Sequence, residues 1–167
     1  MPKSLHGFPY LLLLLVLIHG IVQAEERNTA SEAAQEKREK AFTEMLSNVE
    51  LIGTYTQTGA GKEKEQERYT IYRVAKIPGQ KYLWRFDVRM QFGSVDLRIP
   101  LPLTVRWAQD TPVVILDDTK IPGLGTFSAK VLFDKTRYAG TWQHGSEGGH
   151  LFGKIIKKAT KQKPAGK

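Results

Sequence analysis

Apolar and polar residues alternate with a period of two along most of residues 48–157, which is the spacing of half-buried antiparallel strands. The longest alternating stretch is interrupted by Gly93-Ser94, a glycine-first pair typical of a two-residue hairpin turn. With that turn, Phe92 faces Val95 and the apolar positions of both strands lie on one face. A slip of one residue would put them on opposite faces, so the turn and the alternation independently predict the same register.

The same register accounts for two prolines in the second strand of this hairpin, Pro100 and Pro102. Proline has no backbone N–H to donate, so it is disfavoured inside a continuous sheet. If Phe92 and Val95 form a hydrogen-bonded pair, the prolines fall at positions whose N–H groups would point away from the first strand. We therefore expect the other side of the second strand to be unpaired or lightly paired near these prolines.

Shorter alternating segments on both sides of the hairpin predict the remaining strands. They cover residues 49–56, 68–77, 113–118, 126–133, 136–143 and 149–157. A tight turn at Asp134-Lys135 would pair Val131 with Tyr138. Seven or eight antiparallel strands with no intervening helix predict an all-β domain at residues 48–157. Its expected architecture is an up-and-down barrel, with a two-layer β-sandwich as the alternative.

The start of the chain has the pattern of a secretory signal peptide, predicted to span residues 1–24. A single lysine precedes an apolar stretch that runs to Val22, and small residues close the segment. The alternative is an uncleaved anchor, but His19 and Gly20 interrupt the apolar run before it reaches the roughly 20 residues that a spanning helix needs. We expect export to the periplasm or beyond, with a mature chain that begins at Glu25.

Between the predicted cleavage site and the first strand, residues 25–47 predict one N-terminal amphipathic helix. Its apolar stripe comprises Ala34, Ala41, Phe42, Met45 and Leu46. A brace packed on the main domain and a partner-binding helix both fit so small a stripe, and the sequence favours the brace.

The amino-acid composition excludes several kinds of chemical site. The 167 residues include no Cys, which removes disulfides, Cys-type zinc sites and thiol catalysis. Lys and Arg number 25 against 17 Asp and Glu, and the segment from residue 154 onward holds six lysines and no acid. The predicted disordered tail at residues 158–167 is therefore basic. It is either a solvated end or a contact for an anionic polymer or a membrane surface, and export makes nucleic acid the least expected partner.

The apolar face of the predicted sheet is rich in aromatic side chains. The candidates for a ligand-binding lining are Tyr82, Trp84, Phe86, Trp107, Tyr138 and Trp142. Small barrels are usually filled by their own side chains, so a dry core is one interpretation. The other is an interior pocket in which the polar groups of Tyr and Trp orient a small, mostly apolar ligand.

The opposite face of the hairpin carries four arginines, Arg85, Arg89, Arg98 and Arg106. The predicted register puts Arg89 directly across from Arg98, an unfavourable pair unless an anion or a carboxylate lies between them. The face is therefore a candidate anion-binding surface, with Asp87 and Asp96 as the internal alternative.

His144 and His150 are the only histidines beyond the predicted signal peptide. If residues 145–149 form a hairpin loop, the two imidazoles face each other with Glu147 nearby, a set that can chelate zinc or copper. Two imidazoles and a carboxylate are also the minimum for a hydrolytic metal site. A polar hairpin tip without a metal is the simpler interpretation, and the sequence predicts no other cofactor.

Four segments resemble those of a group of small secreted bacterial proteins: residues 110–112, 121–129, 140–142 and 148–153. The third of them, Gly140-Thr141-Trp142, is similar to the Gly-x-Trp strand signature of lipocalin and avidin barrels. The resemblance implies a barrel of that type and assigns no ligand residues.

The sequence contains no paired acid and base that would mark a catalytic centre, so it favours a non-catalytic protein over an enzyme. We expect a secreted binding module for a small apolar ligand or an anionic envelope component. A structural protein held to the envelope by its basic surface is the alternative, and a metal-dependent hydrolase is the third hypothesis.

Overall fold

The computed structural model describes residues 29–58 and 65–158. The predicted signal peptide at residues 1–24 lies outside the described residues, as does the predicted tail beyond residue 158. The described part of the chain divides into two compact units, one ending at Lys40 and the other beginning at Ala41. No helix in the described part of the chain combines the length and the hydropathy needed to cross a bilayer.

Eight antiparallel strands form a closed barrel in which each strand pairs with the next and the last pairs with the first. The strands are β1 Val49–Tyr55, β2 Glu65–Lys76, β3 Leu83–Phe92, β4 Val95–Ala108, β5 Thr111–Ile121, β6 Gly125–Asp134, β7 Arg137–His144 and β8 Glu147–Lys157. The predicted up-and-down barrel is confirmed. The two-layer sandwich is wrong, because continuous pairing of β1 with β8 joins the two edges of the sheet.

The register of the β3–β4 hairpin is the one that the sequence predicts. Phe92 faces Val95 across a turn whose Gly93 has a φ of 51°, and Phe86 faces Leu101. The side chains on one face of this hairpin are the barrel core, where Phe86 and Leu101 are both buried. Turn chemistry and hydrophobic alternation therefore identify the same pairing as the tertiary structure.

The contact between β4 and β5 is short, and it confirms the expectation drawn from the prolines. Only residues 104–108 of β4 pair with β5, where they face residues 111–115. Pro100 and Pro102 precede this ladder, in a part of β4 that has no paired residue in the described part of β5. The missing N–H groups therefore remove no ladder hydrogen bond, and the barrel has a partly open seam beside them.

The predicted register of the β6–β7 hairpin was wrong by two residues. The turn is at Lys135-Thr136, so that Phe133 rather than Val131 faces Tyr138. Lys135 has a φ of 53°, which places it in the left-handed region at the start of this turn. Because side chains alternate between faces, a shift of two leaves every residue on its own face, and hydrophobic patterning does not detect it.

Residues 29–46 are helical. Within the first unit, the Gln35 side-chain amide donates to a Glu39 carboxylate oxygen at 2.8 Å. Within the second unit, Phe42 is fully buried, with edge-to-face ring contacts to Trp84 at 5.1 Å and to Trp107 at 5.8 Å. Residues 41–46 therefore close the end of the barrel at which β3 begins and β4 ends.

Candidate functional site

The barrel encloses a cavity of about 310 Å³. All eight strands contribute side chains to its wall, and most of these side chains are aliphatic or aromatic. Exposed Glu147 at the start of β8 is part of the lining, so the cavity reaches the surface at the barrel end opposite Phe42. The arrangement gives an apolar interior with one plugged end and one accessible end.

A buried carboxyl group, that of Glu67 on β2, lies in the cavity wall. Glu67 is only 3% exposed. Its two carboxylate oxygens each accept one hydrogen bond from a tyrosine hydroxyl, Oε1 from Tyr138 and Oε2 from Tyr69, both at 2.8 Å. Buried polar groups that are satisfied in this way define a specific geometry within an otherwise apolar interior.

Two glycines on neighbouring strands allow Tyr138 to reach Glu67. Tyr138 on β7 pairs with Gly153 on β8, Gly153 pairs with Gly53 on β1, and Gly53 pairs with Glu67 on β2. A Cβ atom on Gly53 would lie 2.3 Å from the Tyr138 hydroxyl oxygen, and one on Gly153 would lie 2.8 Å from its ring. The tyrosine therefore extends along the barrel wall over both glycines, since any side chain there would obstruct it.

The electrostatics of the cluster follow from its burial. Desolvation raises the pKa of Glu67 above its ordinary value, and the hydrogen bonds from Tyr138 and Tyr69 oppose that rise because they favour the ionised form. Burial, reinforced by the neighbouring Glu67 carboxylate, raises the pKa of Tyr69 well above its ordinary value and also raises that of Tyr138. Both tyrosines are therefore neutral hydrogen-bond donors to the carboxyl group.

The accessible end of the cavity is lined by a mixed aromatic and polar set. Trp142 donates from its indole N–H to the Thr56 carbonyl oxygen at 3.1 Å, which holds the ring in place. The His144 imidazole stacks on Phe127 with a centroid distance of 4.3 Å and an interplanar angle of 9°. Trp142, His144 and Phe127 all belong to the cavity lining.

The structure separates the six predicted aromatic ligand residues into three locations. Phe86, Tyr138 and Trp142 line the cavity. Trp84 and Trp107 instead contact Phe42 at the plugged end, where they form packed core. Tyr82 is outside the cavity lining, and its ring lies beneath the Arg106 guanidinium at 3.4 Å. The sequence alternation places these residues on one face, but it does not show how far the helix fills the barrel.

The four arginines of the predicted anion-binding surface have partners within the barrel domain. Arg89 forms a two-pronged ion pair with Asp96, at 2.6 and 2.5 Å, and Arg85 contacts Asp87 at 3.1 Å. Arg98 lies over the Tyr72 ring at 4.1 Å, and Arg106 lies over Tyr82. Asp96 therefore relieves the Arg89–Arg98 opposition by pairing with Arg89, whereas Asp87 pairs with Arg85.

The structure brings two of the three predicted metal ligands together, His144 and Glu147, but not His150. His144 pairs with Glu147 and His150 pairs with Thr141, so residues 145–146 form a two-residue turn instead of the predicted five-residue loop. His144 consequently points into the cavity, whereas His150 is exposed on the outer face. Within residues 29–58 and 65–158, no group of three or more His, Asp or Glu side chains is arranged to hold a metal ion.

Sequence reasoning missed Glu67. The predicted strand begins at residue 68, which leaves Glu67 in the preceding loop, whereas β2 begins at Glu65. The signal that points to it is the continuation of the inward alternation from Ile71 through Tyr69 to Glu67. A charged residue at an inward position of a strand is rarely buried unless it has a partner.

No family model, curated protein or solved structure matches the chain. The site is therefore defined by its own geometry.

Proposed function

We propose that this protein is a non-catalytic binding module that holds one small, mostly apolar molecule inside the barrel. The observation that carries the proposal is the cavity of about 310 Å³ in the barrel interior. Small-molecule sites typically have about 300–1,000 Å³, mainly apolar walls and a few polar groups that set orientation. The cavity has this composition, with Glu67, Tyr69 and Tyr138 as its buried polar groups.

The course of Tyr138 supports a lumen that is not filled by the protein's own side chains. Eight-stranded barrels are either packed by their interior residues or hold one small ligand. Here the largest fully buried side chains, Trp84 and Phe42, lie at the plugged end. Tyr138 extends along the wall over Gly53 and Gly153, which leaves the central space beyond the plug to an occupant.

Export and adhesion to an anionic envelope component remain proposals of their own. The segments that would carry them, residues 1–24 and the tail beyond residue 158, lie outside the described part of the chain. Intact mass measurement of protein from the producing cell tests export, because cleavage gives a chain that begins at Glu25. A retained full-length chain would contradict it.

The binding proposal is tested with a neutral, environment-sensitive dye, N-phenyl-1-naphthylamine, in a fluorescence titration. Ala129 lines the cavity, whereas Ala139 is exposed on the outer face of β7, so Ala129→Phe and Ala139→Phe form a matched pair. We expect saturable binding by the wild type and the Ala139 variant, and affinity at least about tenfold lower for the Ala129 variant, which corresponds to about 1.4 kcal/mol. Equal binding by all three would place the dye outside the lumen and overturn the proposal.

A further inference from the structure

We infer that the molecule bound in the barrel carries a primary ammonium group that contacts Glu67. The inference rests on the proposed function, since it assigns the chemical class of the ligand for that same cavity. It concerns the polar end of the ligand, whereas the binding proposal concerns its apolar body.

Glu67 has hydrogen-bonding capacity that the protein does not use. An ionised carboxylate only accepts hydrogen bonds, and its two oxygens offer about four lone-pair positions. Tyr138 and Tyr69 each occupy one position, on Oε1 and Oε2 respectively. Because Glu67 is part of the cavity lining, its remaining acceptor positions are available to a donor in the lumen.

The charge of an ionised Glu67 has no cationic partner among the described residues. A carboxylate in an apolar interior is unfavourable unless it is paired, and the pairing partner is ordinarily a cation. Within the part of the chain that the structure describes, the hydrogen-bond partners of Glu67 are two neutral tyrosines, and it forms no ion pair with Lys or Arg. A ligand ammonium would supply the missing positive charge together with its donor hydrogens.

The rest of the cavity lining also favours a cation. Its polar side chains are Gln57, Glu67, Ser128, His144 and Glu147, together with the tyrosines Tyr55, Tyr69 and Tyr138. This set contains two carboxylates and no Lys or Arg, so the charged groups that face a bound ligand favour a cation over an anion. Glu147 lies where the cavity reaches the surface, and it would attract a cationic molecule on entry.

The test uses three ligands that share one apolar chain and differ only in the end group: octylamine, 1-octanol and octanoate. Isothermal titration calorimetry at pH 8 with the wild-type protein should rank octylamine first, 1-octanol second and octanoate last. Because a hydrogen bond between charged partners is stronger than one between neutral groups, we expect octylamine to bind about tenfold or more tightly than octanoate. Glu67→Gln keeps the shape of the side chain, and in that variant we expect this preference to be lost while 1-octanol changes by less than about threefold.

The outcomes separate the two proposals. If all three ligands bind the wild type with similar affinity, or octanoate binds most tightly, the ammonium inference is overturned and the binding module stands. If the preference for octylamine persists in Glu67→Gln, another group recognises the ammonium and the inference is also overturned. If neither the dye nor any of the three ligands binds, the proposed function itself fails. The wild-type ranking needs no variant, so the test does not depend on the folding of Glu67→Gln.

Discussion

Replacing Tyr138 by Phe removes one hydroxyl from the barrel interior and leaves the aromatic ring where it is. The ring keeps its contact over Gly153, because a phenyl group fits the same space along the wall, and only the hydroxyl that lies over Gly53 is removed. What is lost is the 2.8 Å hydrogen bond to Glu67 Oε1. The carboxyl group then depends on Tyr69 as its protein donor.

The loss of stability depends on whether the acceptor, the Glu67 side chain, is charged or neutral. A hydrogen bond to a charged group contributes about 1.5–3 kcal/mol, whereas one between neutral groups contributes about 0.5–1.5 kcal/mol. At a pH at which Glu67 is ionised, we expect Tyr138→Phe to lower the free energy of unfolding by about 2 kcal/mol. In a Glu67→Gln background the acceptor is neutral, so the same substitution should cost about 1 kcal/mol less.

The assay is urea unfolding at pH 8, followed by far-UV circular dichroism, for the wild type, each single variant and the double variant. Tyr72→Phe is the matched control, since Tyr72 lies on β2, the strand that carries Glu67, but is 37% exposed, and Phe preserves the ring over which Arg98 lies. We expect that control to lie within about 0.5 kcal/mol of the wild type. If Tyr138→Phe costs no more than Tyr72→Phe, or costs the same with and without the Glu67 carboxylate, the proposed coupling is refuted.

We make three further predictions, for Gly153, for the two prolines of β4 and for Glu67. Gly153→Ala should lower the free energy of unfolding by about 1–3 kcal/mol in urea, because its Cβ would meet the Ile52 carbonyl oxygen and the Gly53 Cα on β1 as well as the Tyr138 ring, and an unchanged value would contradict this close approach. Replacing Pro100 and Pro102 together by Thr should change stability by less than about 0.5 kcal/mol and increase self-association in sedimentation velocity; a large stability loss would show that this side of β4 is paired. Because burial raises the pKa of Glu67 from 4.5, folded protein retains this proton over a pH range in which unfolded protein has lost it. The unfolding free energy of the wild type should therefore fall, relative to Glu67→Gln, as pH rises from 4.5 through the raised pKa, and a constant difference would contradict the shift.

Local patterns in the sequence were sufficient for the elements whose partners are adjacent in the chain. The β3–β4 hairpin is predictable because a two-residue turn at Gly93-Ser94 and the alternation on both sides of it specify one register. The prolines also identify the unpaired side of β4, because the register directs their backbone nitrogen atoms, which lack a hydrogen, away from β3. In these cases the determining interactions lie within a few residues of each other.

The candidate site required the tertiary structure, because its members come from strands that are far apart in the sequence. Tyr138 reaches Glu67 because β8 and β1 pair to close the barrel, which places Gly153 beside Gly53. The turn at residues 145–146 likewise decides that His144 and His150 lie on opposite faces. Side-chain alternation determines which face of a strand is buried. The alternation is the same for any lateral order of the strands and after a register shift of two residues, so it does not predict strand order, turn length or such a shift. The sequence alone therefore determined that an apolar barrel forms, and the closure of its edges decided which polar group lies inside it.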